Sequence, residues 1–220
     1  MRLTHYGHAC VVVDDPAGST GRILIDPGTL ADDISGVGAV DAVLITHEHP
    51  DHLEAEKLAS LRAANPDLEL YVSPGVPATL TDEECEQVRV LASDAAPRAT
   101  VVAGWEVAAQ TTTHATIYSA LPDITNNAYL IGDRLLHPGD ALEVPAVPVD
   151  VLLLPLGAPW MKLAEAVDYL RAVAPRIAVP IHQGGLAPAH RELHAGLLTK
   201  FAPTGTELVV PALGEPIDLG

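Results

Sequence analysis

Between Thr46 and His52 the chain reads Thr-His-Glu-His-Pro-Asp-His, so His47, His49, Asp51 and His52 fall within six consecutive residues. Neither a packed core nor a solvated loop has a physical reason to concentrate three imidazoles with the Asp51 carboxylate. Those groups are the common ligands of zinc, manganese and iron. A catalytic zinc takes about three protein ligands and keeps one position for water. Four candidate donors in one loop exceed what one such ion uses, so two ions side by side are the simplest expectation. His47 and His49 are two apart, and extended backbone points both side chains to one side. Asp51 and His52 follow where the chain turns and can face a second ion.

The flanking sequence must position this loop. The run 42–46 is short, apolar and rich in β-branched residues, as a buried strand would be. Residues 53–64 then read as a helix, with Leu53, Leu58 and Leu61 near helical spacing. The motif therefore sits at the carboxyl end of a strand, where α/β folds gather their active sites. Further along, His114 closes an expected strand at 108–113, Asp140 closes 135–140, and His182 closes 177–181. A lone His is usually structural and a Gly-Asp pair is usually a turn. Nothing at these three positions taken alone marks them as ligands. A capping signal predicts a helix over 81–91. Residues 150–155 read as a buried strand. Residues 160–174 read as an amphipathic helix with Leu163, Val167, Leu170 and Val173 facing inward. A final helix is expected over 188–201. There His190 and His194 have metal-capable spacing, but no acidic partner lies between them, so they read as a solvated face. Residues 74–77 and 94–97 read as loops.

The His-x-His-x-Asp-His spacing, followed in order by His114, Asp140 and His182, resembles the signature of the metallo-β-lactamase superfamily over residues 1–182. That resemblance implies an α/β fold, an αββα four-layer sandwich with the metal site at one edge of the sheets. It implies His47, His49 and His114 around one ion, Asp51, His52 and His182 around another, and Asp140 between them. The amino terminus narrows the likeness. Gly7-His8-Ala9, followed by 23–28 ending in Asp-Pro-Gly, resembles the lactonase-like branch typified by ascorbate-6-phosphate lactonases. His8 is then expected to support a ligand or touch substrate, and Asp26 to cap a turn or orient a ligand His, since metal-bound His usually donates its other nitrogen to a carboxylate or carbonyl. Residues 118–124 are expected to overhang the pocket, with Tyr118 near a position where the branch often has His. In the loop 155–162, Trp160 reads as an apolar wall or as core packing, and Lys162 as a holder of an anionic group.

Composition bounds the rest. At 220 residues and 48% hydrophobic content the chain reads as a single domain, 1–220, with a substantial core. With aromatics at 4%, Ala, Val and Leu must fill that core. No apolar stretch has the length of a membrane span, and no basic-then-apolar leader opens the chain. Cys10 and Cys85 make no disulfide framework. These features lead to the expectation of a cytoplasmic protein that does not engage membranes. The formal net charge of -17 opposes nucleic-acid binding, which leans on Lys and Arg at phosphates.

The expected activity is a metal-dependent hydrolase, dinuclear, that uses metal-activated hydroxide on a small-molecule lactone or ester. Asp51, Asp140 and His8 are the expected catalytic groups. Two divalent ions are expected, zinc first, with manganese or iron as alternatives. A phosphodiesterase or thioesterase of the same fold, or a non-catalytic metal-binding protein, are the rival readings.

Overall fold

Val11-Val12-Val13, Ile23-Leu24-Ile25 and Ala42-Val43-Leu44-Ile45 have no polar alternation. Strands built from them must be covered on both faces. A computed structural model of the chain describes residues 1–81, 85, 88–93 and 98–220, Arg98 by its backbone alone, and shows how that covering is done.

The strands are β1 (Arg2–His5), β2 (Val11–Asp14), β3 (Ile23–Ile25), β4 (Ala42–Ile45), β5 (Glu69–Val72), β6 (Val88–Val90), β7 (Arg98–Val102), β8 (Trp105–Thr113), β9 (Thr125–Ile131), β10 (Leu135–His137), β11 (Val151–Pro155), β12 (Ile177–Ile181), β13 (Glu207–Leu208) and β14 (Pro216–Asp218). One sheet runs β14-β1-β2-β3-β4-β5-β6 and the other β13-β12-β11-β10-β9-β8-β7. Each sheet has an antiparallel part and a parallel part; β3 to β6 and β10 to β13 are the parallel runs. The helices of the described residues are α1 (Ala55–Ala64), α2 (Leu163–Val173) and α3 (Pro188–Phe201).

Strand periodicity distributes the apolar residues. Val11, Val13, Ile23, Ile25, Ala42 and Leu44 point into the space between the sheets, where they meet Val107, Tyr129, Ile131, Leu153 and Val179. Val12, Leu24, Val43 and Ile45 point the other way and are covered by Leu58 and Leu61 of α1. Leu152, Leu154 and Ala178 are covered by Ala166, Tyr169 and Leu170 of α2 and Leu198 of α3. The result is the expected αββα sandwich, with one core between the sheets and one under each helical layer.

Several boundaries differ from the sequence expectation. In the stretch read as a helix over 81–91, residues 88–90 are strand β6 instead, paired parallel to β5 through Leu70 and Val88. Val88 and Val90 flank Arg89, and β-branched residues at alternate positions suit a sheet edge better than a helix. Residues 82–84, 86, 87 and the expected loop 94–97 lie outside the described residues. Helix α1 starts at Ala55, because the Leu53 amide is bonded back to the His49 carbonyl at 3.0 Å. Helix α2 starts at Leu163, where the Glu165 side chain accepts from the Lys162 amide at 2.6 Å, which leaves Trp160 outside the helix. Its buried face is centred on Ala166, Tyr169 and Leu170, with Leu163, Val167 and Val173 at the margins. His194 is half-buried and its Nδ1 lies 2.9 Å from the Leu156 carbonyl, so it pins α3 to the loop after β11 and is not part of a solvated face.

The two sheets are tied together at the end of β4. Tyr129 on β9 donates its hydroxyl to the Ile45 carbonyl at 2.8 Å, and the Asn127 amide donates to the Thr46 carbonyl at 2.8 Å. These bonds hold the His-rich loop against the second sheet. No helix among the described residues is long and apolar enough to cross a membrane.

Candidate metal centre

The loop after β4 folds over a glycine. A Cβ at Gly28 would lie 1.9 Å from the Asp51 backbone, so only glycine lets Asp51 and His52 settle there. Asp26, fully buried with φ of +49°, turns its carboxylate into the loop. It accepts from the Thr46 amide at 2.8 Å and from the Thr46 hydroxyl at 2.7 Å, and its Oδ2 lies 2.7 Å from His52 Nδ1. The expected role of orienting a His thus falls to Asp26 acting on His52. The Thr46 hydroxyl also lies 3.0 Å from His47 Nδ1.

The same device recurs at the other strand ends. His114 Nδ1 is 2.6 Å from the Ala115 carbonyl, and His182 Nδ1 is 2.9 Å from the Gly157 carbonyl. Each ring has Nδ1 occupied and turns Nε2 inward. His49 is the exception: its Nδ1 faces His47 Nε2 at 3.1 Å. Asp140 is brought in by a tight turn. Gly139 has φ of +61°, and a Cβ there would lie 2.1 Å from Asn126 Oδ1. That Asn126 oxygen accepts from the Asp140 amide at 3.0 Å.

The structure brings all seven expected ligand residues, and His8, to one edge of the sandwich. Donor atoms of His47, His49 and His114 lie within 4.8 Å of one another, as do those of His8, Asp51, His52 and His182, and those of His47, His52 and Asp140. Asp140 lies between the first two groups. Its Oδ1 is 3.2 Å from His52 Nε2, and its Oδ2 is 3.3 Å from His114 Nε2 and 3.1 Å from His182 Nε2.

The fit to divalent cations rests on unpaired atoms. His52 Nε2, His114 Nε2, His182 Nε2 and Asp140 Oδ1 are buried with no hydrogen-bond partner. Buried polar atoms are ordinarily satisfied, and leaving several orphaned together is costly. A cation between them removes that cost. The nitrogen and carboxylate donor set suits zinc, manganese or iron. Electrostatics agree. Burial pushes His47 and His49 down, so both rings are neutral and able to donate a lone pair. Burial opposes a charge on His52, yet the Asp140 and Asp26 carboxylates outweigh it and push that ring well up, so this spot draws positive charge. Burial would raise the Asp140 carboxyl, but His52, His182 and His114 hold it well below the usual carboxylate range.

His8 stands behind the ligands. Its φ is +50°, and His182 at +59° is also left-handed, so the edge holds non-glycine backbone in a conformation that persists only under structural constraint. The Gly184 amide donates to His8 Nδ1 at 3.1 Å. A neutral His8 therefore carries its proton on Nε2 and donates it to Asp51 Oδ2 at 3.1 Å. Against burial, which would raise it, this bond and His52 bring the Asp51 pKa down to about 2. His5 Nε2 lies 3.0 Å from the His8 carbonyl and His137 Nε2 3.0 Å from the Ala9 carbonyl; both act as buried struts. His190 is exposed on α3.

One participant had no readable signal. Trp160 is neither core nor merely a wall. Its indole N–H donates to Asp140 Oδ2 at 2.7 Å. Lys162 is exposed and does not line either cavity beside the centre.

A four-layer sandwich carrying a His/Asp cluster at one sheet edge defines a class of metal-binding α/β proteins. The beta-lactamase superfamily domain matches residues 2–182, and the chain belongs to that family. Protein Rv0786c of Mycobacterium tuberculosis is 45% identical over 214 residues, covering 95% of this chain and 96% of its own. UPF0173 protein PF0020 of Pyrococcus furiosus is 32% identical, covering 87% of this chain and 88% of its own. Among solved structures, Igni18, a metallo hydrolase from Ignicoccus hospitalis, superposes with a TM-score of 0.69 at 21% identity, covering 98% of this chain and 97% of that one. At that identity the likeness is one of fold.

Proposed function

We propose that this protein is a dinuclear metal-dependent hydrolase of a small-molecule lactone or ester. The coarser part, a metal-dependent hydrolase of the beta-lactamase superfamily, is supported by family membership and by the likeness to a metallo hydrolase. The observation that carries the metal centre is the set of orphaned buried donors on His52, His114, His182 and Asp140. His47, His49 and His114 would hold one ion, Asp51, His52 and His182 the other, and Asp140 would lie between them.

A bound divalent pair supplies a water acidified to a pKa near 7, hence a nucleophile at neutral pH. The chain's own residues do the remaining work. Asp51, held ionised by His8 and His52, would accept a hydrogen bond from that water. His8 holds that carboxylate in place through Nε2–H and is fixed in that tautomer by the Gly184 amide. Trp160 holds Asp140 by Oδ2, the oxygen that also faces His114 and His182. What favours a lactone or ester over a phosphodiester or thioester is the resemblance of Gly7-His8-Ala9 to the lactonase-like branch. The charge of -17 supports a small molecule over nucleic acid.

A panel of lactones, esters, thioesters and phosphodiesters tests this reading. Turnover of a lactone or ester, abolished by a chelator and restored by zinc, manganese or iron(II), is expected. Full metal occupancy with no turnover of any of the four classes would leave a metal-binding protein without hydrolase activity.

A further inference from the structure

Resting on the hydrolytic reading above, we propose that the non-reacting part of the substrate is an apolar, uncharged chain, and that the site discriminates against a phosphate or carboxylate there. Two cavities flank the metal centre and share Ala115 and Thr116 in their walls. The first, about 240 Å3, includes His49 and His114, so it opens directly on the ligands. Its remaining wall includes Ile117, Tyr118, Leu121, Pro122 and Ile124, and its one acidic side chain among the described residues is Asp123. The second, about 540 Å3, adjoins the centre through Trp160 and is walled by Leu142 and Val144. Its charged side chains are Glu165 and Asp168.

No Lys or Arg among the described residues lines either cavity. Recognition of a phosphate or carboxylate calls for such a cation or a cradle of N–H donors. A terminal phosphate would instead bring about -1.5 to -2 of charge toward Asp123, Glu165 and Asp168. The whole chain, at -17, adds to that repulsion. The mouth is apolar as well: Ile117, Leu121 and Val144 are 39%, 53% and 51% exposed. Isolated exposed apolar residues are ordinary, but these three line the two cavities beside the ligands. A hydrocarbon chain laid on them loses water at each contact, worth about fourfold in affinity per buried methylene.

The metal-loaded protein is assayed with lactones bearing neutral alkyl chains of increasing length, and with equal-length chains ending in phosphate. The expected result is a kcat/KM that climbs by up to about fourfold per methylene over the first additions, and phosphate-ended chains at least about tenfold poorer. Equal or better turnover of the phosphate-ended chains overturns the proposal. The matched lactams, followed by calorimetry, read binding without turnover. If neither lactone is cleaved, the lactone reading fails, and the lactams still decide the cavity chemistry. Tighter binding of the neutral lactam upholds it; tighter binding of the phosphate-ended lactam, or of neither, overturns it. Thr116 lies exposed in both walls. Thr116→Arg should shift the preference toward the phosphate-ended chain by about tenfold or more, as a cation placed beside a phosphate does; no shift counts against the proposal.

Discussion

Strands β10, β11 and β12 end in two opposite chemistries. At their amino ends, Asp150 accepts from Arg134 at 2.7 Å and from Arg176 at 2.9 Å, and the two guanidinium groups also reach the Gly220 and Leu219 carbonyls at 2.6 Å each. Charged groups there satisfy one another, and the latch closes the carboxyl terminus of the chain onto the second sheet. At their carboxyl ends, Asp140 and His182 meet His52 and His114, and His52 Nε2, His114 Nε2, His182 Nε2 and Asp140 Oδ1 make no hydrogen bond. The Asp150 side chain is 29% exposed and that of Asp140 only 3%. The wetter carboxylate is therefore the one with complete hydrogen bonding. Stability alone would favour the reverse, because unsatisfied polar atoms cost most where water is excluded. The difference shows that one end serves to close the fold and the other is kept open for cations.

Substitutions at the two ends should separate those roles. Asp140→Ala is expected to have the largest effect on function, exceeding the roughly 10–100-fold typical of groups behind metal ligands, with loss of bound metal seen by elemental analysis. A variant that keeps both its metal and its turnover would undo the contrast. His8→Ala should lower turnover by about 10–100-fold with metal content near normal, since it acts on Asp51 and does not replace a ligand. Should His8→Ala prove more damaging than Asp140→Ala at normal metal content, the assignment of roles is wrong. Trp160→Phe keeps the ring but removes the N–H to Asp140. It should weaken metal affinity by about tenfold while the melting temperature of the metal-free chain stays close to that of the parent.

The latch should report in stability instead. Asp150→Asn is expected to cost about 1 kcal/mol, a modest figure because the pair is partly solvated, and to leave metal binding untouched. The direction with pH follows from the hydrogen bonds of Arg176 and Arg134, which hold Asp150 down at about 2. A depressed carboxyl adds stability that is fully present above its unfolded value near 3.8 and is lost as pH falls through about 2. The stability gap between parent and variant should therefore shrink below pH 4; a gap that widens there would contradict the latch.

How far the sequence foretold this depends on the range of each interaction. His47, His49, Asp51 and His52 lie in one loop and were readable from spacing; that His114, Asp140 and His182, each closing a strand, converge on them was implied by the family resemblance. Val11 to Val13 and Ile23 to Ile25 announced strands buried on both faces. The bonds of Trp160 to Asp140 and of Gly184 to His8 were not readable, because they join segments whose separation in sequence carries no period. Strand β6 was hidden because a capping signal at Thr81 masked the short alternation of Val88 and Val90. The packing of His194 depends on the Leu156 loop, which spacing along the helix does not encode.

The most direct test is the number of divalent ions bound per chain, measured by elemental analysis after loading with zinc or manganese and removal of excess. Two ions per chain are expected in the parent protein. His114→Ala, which dismantles only the group formed with His47 and His49, should bring the count toward one. A parent stoichiometry at or below one in the presence of excess metal would contradict the dinuclear account.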